Sequence, residues 1–317
     1  MKNKKRRFVK SLLSVAFLLI VSLLGTFVLS SCDNIDFDSI LNDIFADEEG
    51  KDSLYDEVPV ASGNLNIHFI DVGQADCTLL MTENANMLID TGDLDDTYTE
   101  KIISYLKAQG VNKLDYLVLT HPDSDHIGGA PEIINEFEVV NCILPDFAKT
   151  TKIYENTLEA LEDNEVNVIE GKSGESFGFG DTLCNMLAPV GAMNTSNNSS
   201  VVIKLTHGEN TFMFVGDAEE ESEEKILETY NASDLKSDFL KAGHHGSSTS
   251  STVEFLDAVS PTYAYIPCGE DNKYGHPHNK TIDKFEDRGI EYYRADINGT
   301  LIVVSDGSKL TLTPEKP

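Results

Sequence analysis

His121-Pro122-Asp123-Ser124-Asp125-His126 follows the apolar run 114–120, and this junction decides the fold. The run reads as a buried strand, and its end delivers four potential metal ligands onto one loop within six residues. Carboxylates crowded in this way raise one another's pKa unless a cation neutralises them. A strand end supplies a rigid base, and a loop lets alternate side chains turn toward a common point. Gly128-Gly129 then permits a tight backbone path. A polar loop with helix-capping aspartates is the bland alternative, and it leaves the two histidines without a purpose.

Two later stretches end in the same way. Phe212-Met213-Phe214-Val215-Gly216-Asp217 is an apolar strand finishing in Gly-Asp. Phe239-Leu240-Lys241-Ala242-Gly243-His244-His245-Gly246-Ser247 is another, finishing in Gly-His-His-Gly. A Gly-Asp turn alone is commonplace, but three strand ends in one chain, each carrying metal-capable groups, reinforce one another. Upstream, 65–71 and 77–82 read as a strand pair around Gly73, and 87–92 as a strand ending in Asp90-Thr91-Gly92. Residues 98–109 are amphipathic, with Gly110 as a helix stop. Strands are predicted at 139–144, 166–169, 182–187, 201–206, 211–215 and 238–242, a helix at 219–230, and closing strands at 300–304 and 309–313. Short strands in runs, with helices between the runs, predict an α+β sandwich of two sheets covered by helices.

The order Asp-Thr-Gly, His-x-Asp-x-Asp-His, Gly-Asp, Gly-His-His-Gly resembles the metallo-β-lactamase superfamily. Within it, Asp71-Val72-Gly73-Gln74-Ala75-Asp76, the aspartate at 123, and Tyr274-Gly275-His276-Pro277-His278 resemble the hydrolase domain of ComEC-type DNA-uptake proteins. The similarity covers about 65–313. It implies a four-layer αββα fold with two divalent metal ions between the sheets. His121 and Asp123 would hold one ion. Asp125, His126 and one histidine of the 244–245 pair would hold the other, and Asp217 would bridge. His244 is favoured as the ligand because it directly follows Gly243, which leaves His245 facing substrate. Asp125, His245, His276 and His278 make up the expected catalytic group. Asp90 and Asp76 are expected to orient ligands, and Ser247 to donate to a phosphoryl oxygen. Superfamily members that bind two zincs usually have histidine in place of Asp123 and a further histidine midway. Here the midway region reads Asn197-Asn198-Ser199-Ser200, so the middle ligand is Asn198, water or absent, and His207 is read as a surface residue. Oxygen in place of imidazole hardens the site and favours manganese over zinc.

Lys2, Lys4, Lys5, Arg6, Arg7 and Lys10 precede the first acidic residue, Asp33, and an apolar run at 11–29 follows them. Leu29-Ser30-Ser31-Cys32 resembles the lipobox of bacterial lipoproteins, whose cysteine is acylated; a permanent membrane helix is the alternative. The expected organisation is therefore a signal peptide at 1–31, an acidic tether at 32–63 beginning with lipidated Cys32, and the hydrolase domain alone at 64–317. That places the protein on the extracytoplasmic face of the bacterial cell membrane, anchored through lipid. Cys77, Cys142, Cys184 and Cys268 lack CxxC spacing and read as small buried hydrophobes. No protein partner can be inferred.

The 317-residue chain carries a net charge of −30, which falls to about −36 without the six leader cations. Such a body repels nucleic acid at long range, which argues against a long duplex footprint. The expected activity is metal-assisted hydrolysis of a phosphodiester by a hydroxide held between two cations about 3.5–4 Å apart. Small or single-stranded substrates, DNA among them, fit best. A lactonase, thioesterase or phosphorylcholine-type esterase of the same fold is one alternative. A surface binding protein that keeps its metal for structure is another.

Overall fold

The computed structural model describes residues 61–317. The predicted leader, Cys32 and nearly all of the predicted tether lie outside the described residues. Among the described residues no helix is long and apolar enough to cross a membrane.

Among the described residues, fifteen strands form two sheets. In the first, β15(Leu310–Pro314), β14(Leu301–Ser305), β1(Leu65–Phe69), β2(Thr78–Met81) and β3(Asn86–Ile89) are antiparallel neighbours. The sheet continues from β3 into the parallel run β4(Lys113–Val118), β5(Glu138–Leu144), β6(Asn167–Glu170). The second repeats the pattern. β7(Ser176–Phe179), β8(Thr182–Ala188), β9(Val202–His207) and β10(Asn210–Phe214) are antiparallel, and β10 leads into parallel β11(Phe239–Lys241), β12(Tyr263–Ile266) and β13(Glu291–Arg294). Parallel strands point their carboxyl ends the same way, and ligand sites form at such ends.

Strand periodicity builds the layers. Leu65, Ile67 and Phe69 alternate onto the face between the sheets, where they meet Phe212, Phe214, Phe239 and Tyr265. Phe69 stacks on Phe239 at 5.0 Å and on Tyr265 at 4.9 Å between ring centres. Met213, on the opposite face of β10, packs instead with Leu240, Phe255 and Phe285 under the outer helices. A third core joins the first sheet to the helices Asp96–Ala108, Ala130–Glu136 and Lys152–Asp163 through Ile102, Ile133 and Leu161. Three cores between four layers give the predicted αββα sandwich. The four cysteines in this domain are buried, as read from the sequence, and the structure leaves them unpaired.

His207 corrects the surface reading. It is fully buried at the end of β9, with Nδ1 2.7 Å from Ser305 Oγ and Nε2 3.7 Å from Asp181. The helices Ala130–Glu136 and Lys152–Asp163 and strand β7 were not singled out from the sequence, nor were the individual elements between 243 and 299, β12 and β13 among them. The β7–β8 hairpin turns on Gly180-Asp181, with Gly180 at φ +58°, a conformation glycine adopts without strain.

Candidate metal centre

Four strand ends converge. β3 leads to Asp90, β4 to Thr120-His121, β10 to Asp217 and β11 to His244-His245. Asp125, His126, Asp217 and His245 bring one ligand atom each within 4.8 Å of one another. Asp217 Oδ1 lies 3.3 Å from His126 Nε2, and Asp217 Oδ2 lies 3.4 Å from His245 Nε2. Asp125 Oδ2 is 3.3 Å from the same His245 nitrogen. His126, His245 and Asp217 are buried, and Asp125, 31% exposed, marks the mouth of the site.

Each histidine is held from behind. His126 Nδ1 donates to Asp90 Oδ2 at 2.8 Å, and His245 Nδ1 donates to the Pro267 carbonyl at 2.9 Å. A proton fixed on Nδ1 directs Nε2 at the cluster, the arrangement that orients metal-ligating imidazoles. Asp90 also accepts from Thr120 N and Thr120 Oγ1, both at 2.8 Å. It does so at φ +59°, a left-handed conformation that aspartate tolerates and that costs on the order of 1–3 kcal/mol. Gly128 and Gly129 serve close approach. A Cβ on Gly128 would lie 2.2 Å from Asp93 C, and one on Gly129 2.7 Å from Thr91 O.

The order expected for the histidine pair is reversed in the geometry. His244 and His245 both have left-handed backbones, at φ +47° and +52°. The expectation assumed an extended chain, and two successive left-handed residues instead wind His245 into the cluster. His244 is turned outward: Nδ1 lies 3.2 Å from Glu219 Oε1 and 3.2 Å from Thr249 Oγ1, and Nε2 is 3.8 Å from Asp217.

The remaining predicted residues divide. His121 is buried beside His126, with 4.0 Å between ring centres. Its Nδ1 lies between the hydroxyls of Thr120 (3.2 Å) and Ser200 (3.3 Å). Asp123 is not in the four-residue cluster; its carboxylate binds Lys149 Nζ and Ser196 Oγ. Asn198, one of the three alternatives for the middle ligand, has its amide engaged elsewhere. Its Oδ1 accepts from Glu219 N (3.1 Å) and Ser222 N (3.2 Å), capping the helix Glu220–Thr229, and its amide donates to Thr195. Ser247 Oγ is 2.9 Å from Thr249 Oγ1. His278 is committed to its loop: Nδ1 accepts from Ser248 N at 2.9 Å and Nε2 donates to Tyr274 O at 3.2 Å. His276 stays beside the cluster, 6.3 Å from His245 between ring centres. Gln74 Oε1 accepts from Gly269 N, so its amide donates to His276 Nδ1 and the imidazole proton sits on Nε2.

Sequence reasoning passed over Lys241. Its buried ammonium binds Asp76, accepts no competitor from solvent, and donates to Gly216 O at 2.8 Å. Asp76 in turn lies 3.4 Å from His245 Nδ1. A lysine inside an otherwise apolar strand was a legible signal, since lysine is almost never fully buried unpaired.

Burial pulls His126 and His245 down, but the carboxylates around them outweigh it and hold both well above the ordinary histidine range. Asp217, in return, sits well below the usual carboxylate range against the pull of burial. Burial and the neighbouring His126 lower His121 to about 3. Burial and three nearby imidazoles lower His276 to about 4.

Among the buried atoms without a hydrogen-bond partner, His121 Nε2, His126 Nε2 and Asp217 Oδ1 lie at the centre, and Asp76 Oδ1 lies behind His245. Orphaned buried polar atoms are rare and costly, and three together fit a cation. The donor set of nitrogen and carboxylate oxygen suits a divalent transition metal.

The family profile described as Metallo-beta-lactamase superfamily matches residues 70–270. The chain belongs to the metallo-beta-lactamase superfamily. Members of this fold typically bind two divalent metals. Among curated proteins the chain is similar to ComE operon protein 3 of Bacillus subtilis (strain 168), 32% identical over 260 residues, 77% of this chain and 33% of that protein. It is 34% identical over 235 residues to Competence protein ComA of Neisseria gonorrhoeae, 73% of this chain and 31% of that protein. It is 29% identical over 237 residues to Recombination protein 2 of Haemophilus influenzae, 74% of this chain and 27% of that one. The chain thus spans about a third of the length of these relatives, in line with the ComEC-type resemblance. In fold it is similar to the metallo-beta-lactamase fold protein YhfI from Bacillus subtilis, with TM-score 0.52, 11% identity, and coverage of 77% of this chain and 100% of that one. It is likewise similar to CmlA, a diiron beta-hydroxylase from Streptomyces venezuelae, with TM-score 0.51, 15% identity, and coverage of 76% and 54%.

Proposed function

We propose that this protein is a metal-dependent phosphodiesterase acting on short or single-stranded nucleic acid. The observation that carries the reading is the trio of unpartnered buried atoms, His121 Nε2, His126 Nε2 and Asp217 Oδ1, in and beside a cluster of which Asp125 alone is partly exposed. His126, His245, Asp125 and Asp217 would hold the metal, with His121 and Asp123 flanking it. A divalent metal there supplies Lewis acidity and lowers the pKa of water.

The chain's own residues do the rest. Asp90 and the Pro267 carbonyl keep His126 and His245 aimed inward. Lys241 balances Asp76 without leaving the core. His276, neutral at physiological pH with its proton on Nε2, is suited to donate a hydrogen bond to a phosphoryl oxygen rather than to act as a strong acid. A phosphodiester gains from this ring of donors because its oxygens carry the charge that develops in the reaction. The competence and recombination named in the relatives point the same way, toward DNA.

The carboxylate-rich ligand set favours manganese over zinc. Purified protein assayed on an oligonucleotide and on a lactone, with each metal added in turn, tests the reading. Metal-dependent cleavage of the oligonucleotide is expected, and turnover of the lactone alone would sink it. We further propose that Cys32 is acylated and anchors the domain on the extracytoplasmic membrane face. The mature protein is then expected to lack residues 1–31, and a mature mass that retains Met1 refutes the anchor.

A further inference from the structure

The most exposed aromatic ring near the centre is Tyr274, 54% exposed. It is not isolated. Its ring lies 5.5 Å from His276 and 23° from parallel, and His276 lies 6.3 Å from His245 and 22° from parallel. Three rings therefore form one offset column, from solvent to a histidine of the metal cluster. Offset stacking at these separations is the favourable arrangement for aromatic pairs. The column ends on the Tyr274 ring, over which Lys273 Nζ sits 4.9 Å from the ring centre.

The loop that carries Tyr274 is braced on both sides. Asn272 Nδ2 donates to Gly269 O (2.9 Å) and to His276 O (2.6 Å), and Asn272 Oδ1 accepts from His276 N (2.9 Å). His278 Nε2 donates to the Tyr274 carbonyl. This bracing leaves an apolar ring exposed on a shaped loop, where a merely connecting loop would carry a polar residue. A rigid loop also loses little entropy when a ligand lands on it.

We propose that Tyr274 is a base-stacking subsite, which receives the nucleobase adjoining the scissile phosphate and makes single-stranded nucleic acid the substrate class. The assignment rests on the phosphodiesterase reading above. A base added to the column continues its offset stack, and Lys273, displaced from the ring face, is free to meet a backbone phosphate. Duplex DNA keeps its bases stacked inside and offers no face to one tyrosine. The loop's own Glu270 and Asp271, and a net charge of −30, further disfavour a long polyanion. Stacking is tolerant of sequence because every base has a π face.

The test compares a fluorescein-labelled short oligothymidylate with an abasic phosphodiester strand of equal length, using the full chain at low salt. Binding is read by anisotropy in EDTA, where neither probe is cut, and cleavage is read separately with manganese. The wild type should bind the base-bearing strand about tenfold more tightly, Tyr274→Ala should erase that preference, and Tyr274→Phe should keep it. In cleavage, Tyr274→Ala should raise KM for the base-bearing strand by a similar factor, and should change the kinetics of the abasic strand much less. Equal wild-type affinity for the two strands, a preference that survives in Tyr274→Ala, or equally tight binding of a duplex hairpin overturns the subsite. If the preference is present in EDTA but neither strand is cut with any metal, the phosphodiesterase reading fails, and Tyr274 is a base-stacking site for bound single strands with no scissile phosphate beside it.

Discussion

The pocket of Asp125, His126, Asp217 and His245 and the pocket of His121 and Asp123 share one loop, but different things already fill them. In the first, protein groups hold the far side of each imidazole, and the near atoms of His126 and Asp217 face each other without a hydrogen-bond partner. In the second, His121 Nε2 is also unpartnered, yet Asp123 is bound by Lys149 and Ser196. The two pockets differ in depth only in part: in the first His126, His245 and Asp217 are buried and Asp125 is 31% exposed, and in the second His121 is buried while Asp123 is 29% exposed. A cation entering the first pocket meets waiting ligands, whereas one entering the second must compete with an ammonium. The superfamily's two-metal pattern is thus built unequally into this chain.

The sharpest way to break the comparison is at Asp217, whose two oxygens reach both His126 and His245. Asp217→Ala should remove metal from the first pocket and lower turnover by roughly 10³-fold, with the circular dichroism spectrum retained. Elemental analysis showing a full metal complement in this variant would end the ligand assignment. His245→Ala should also lose metal, with a fall in rate of roughly 10²-fold. His244→Ala should keep its metal and most of its activity, since His244 stands outside the cluster with Glu219 and Thr249. Equal metal loss in the two histidine variants would return the pair to ambiguity.

Protons sharpen the same contrast. In the metal-free protein the raised pKa values of His126 and His245 keep both imidazoles protonated across neutral pH. A divalent ion must expel those two protons, an exchange that leaves the cluster's net charge unchanged. The sign follows: affinity is weakest at low pH, rises by about tenfold per pH unit for each proton displaced, and levels once the pH passes the raised values. Calorimetric metal titrations in buffers of different ionisation enthalpy count the protons. An affinity flat with pH through neutrality would contradict the coupling.

How much of this was readable in advance depends on where the information is held. The strand ends at Asp90, His121, Asp217 and His244 were legible because an apolar run ending in glycine or in metal-capable residues is a local pattern. Which of His244 and His245 points inward was not, because that turns on two left-handed backbones that no glycine announces. Asn198 stayed one of three alternatives for the middle ligand because the competing use of its amide, capping the helix Glu220–Thr229, shows only when the turn at 197–199 and that helix are packed together. His207 was misjudged because its partners, Asp181 and Ser305, come from distant parts of the chain. The helix Lys152–Asp163 carried a usable signal: Ile153, Tyr154, Thr157, Ala160 and Leu161 are buried at helical spacing.

The smallest effect tests the second pocket itself. Lys149 lies on the segment that follows β5, and its ammonium meets the same Asp123 oxygen that Ser196 contacts. The pair is partly exposed, so its contribution to stability is on the order of 0–1 kcal/mol and its loss should barely move Tm. Its effect on cation binding should be larger than its effect on folding. Removing the ammonium takes away a positive charge that repels an incoming ion and frees a carboxylate to act as a ligand. Lys149→Ala should therefore raise the affinity for a second metal up to about tenfold, while the first metal binds as before. Lys149→Arg, which keeps the charge, should leave both affinities near the wild-type values. Competition titrations that resolve two binding steps decide the matter. If Lys149→Ala leaves the second step unchanged, the ammonium is a bystander and the inequality of the two pockets lies in the ligands alone.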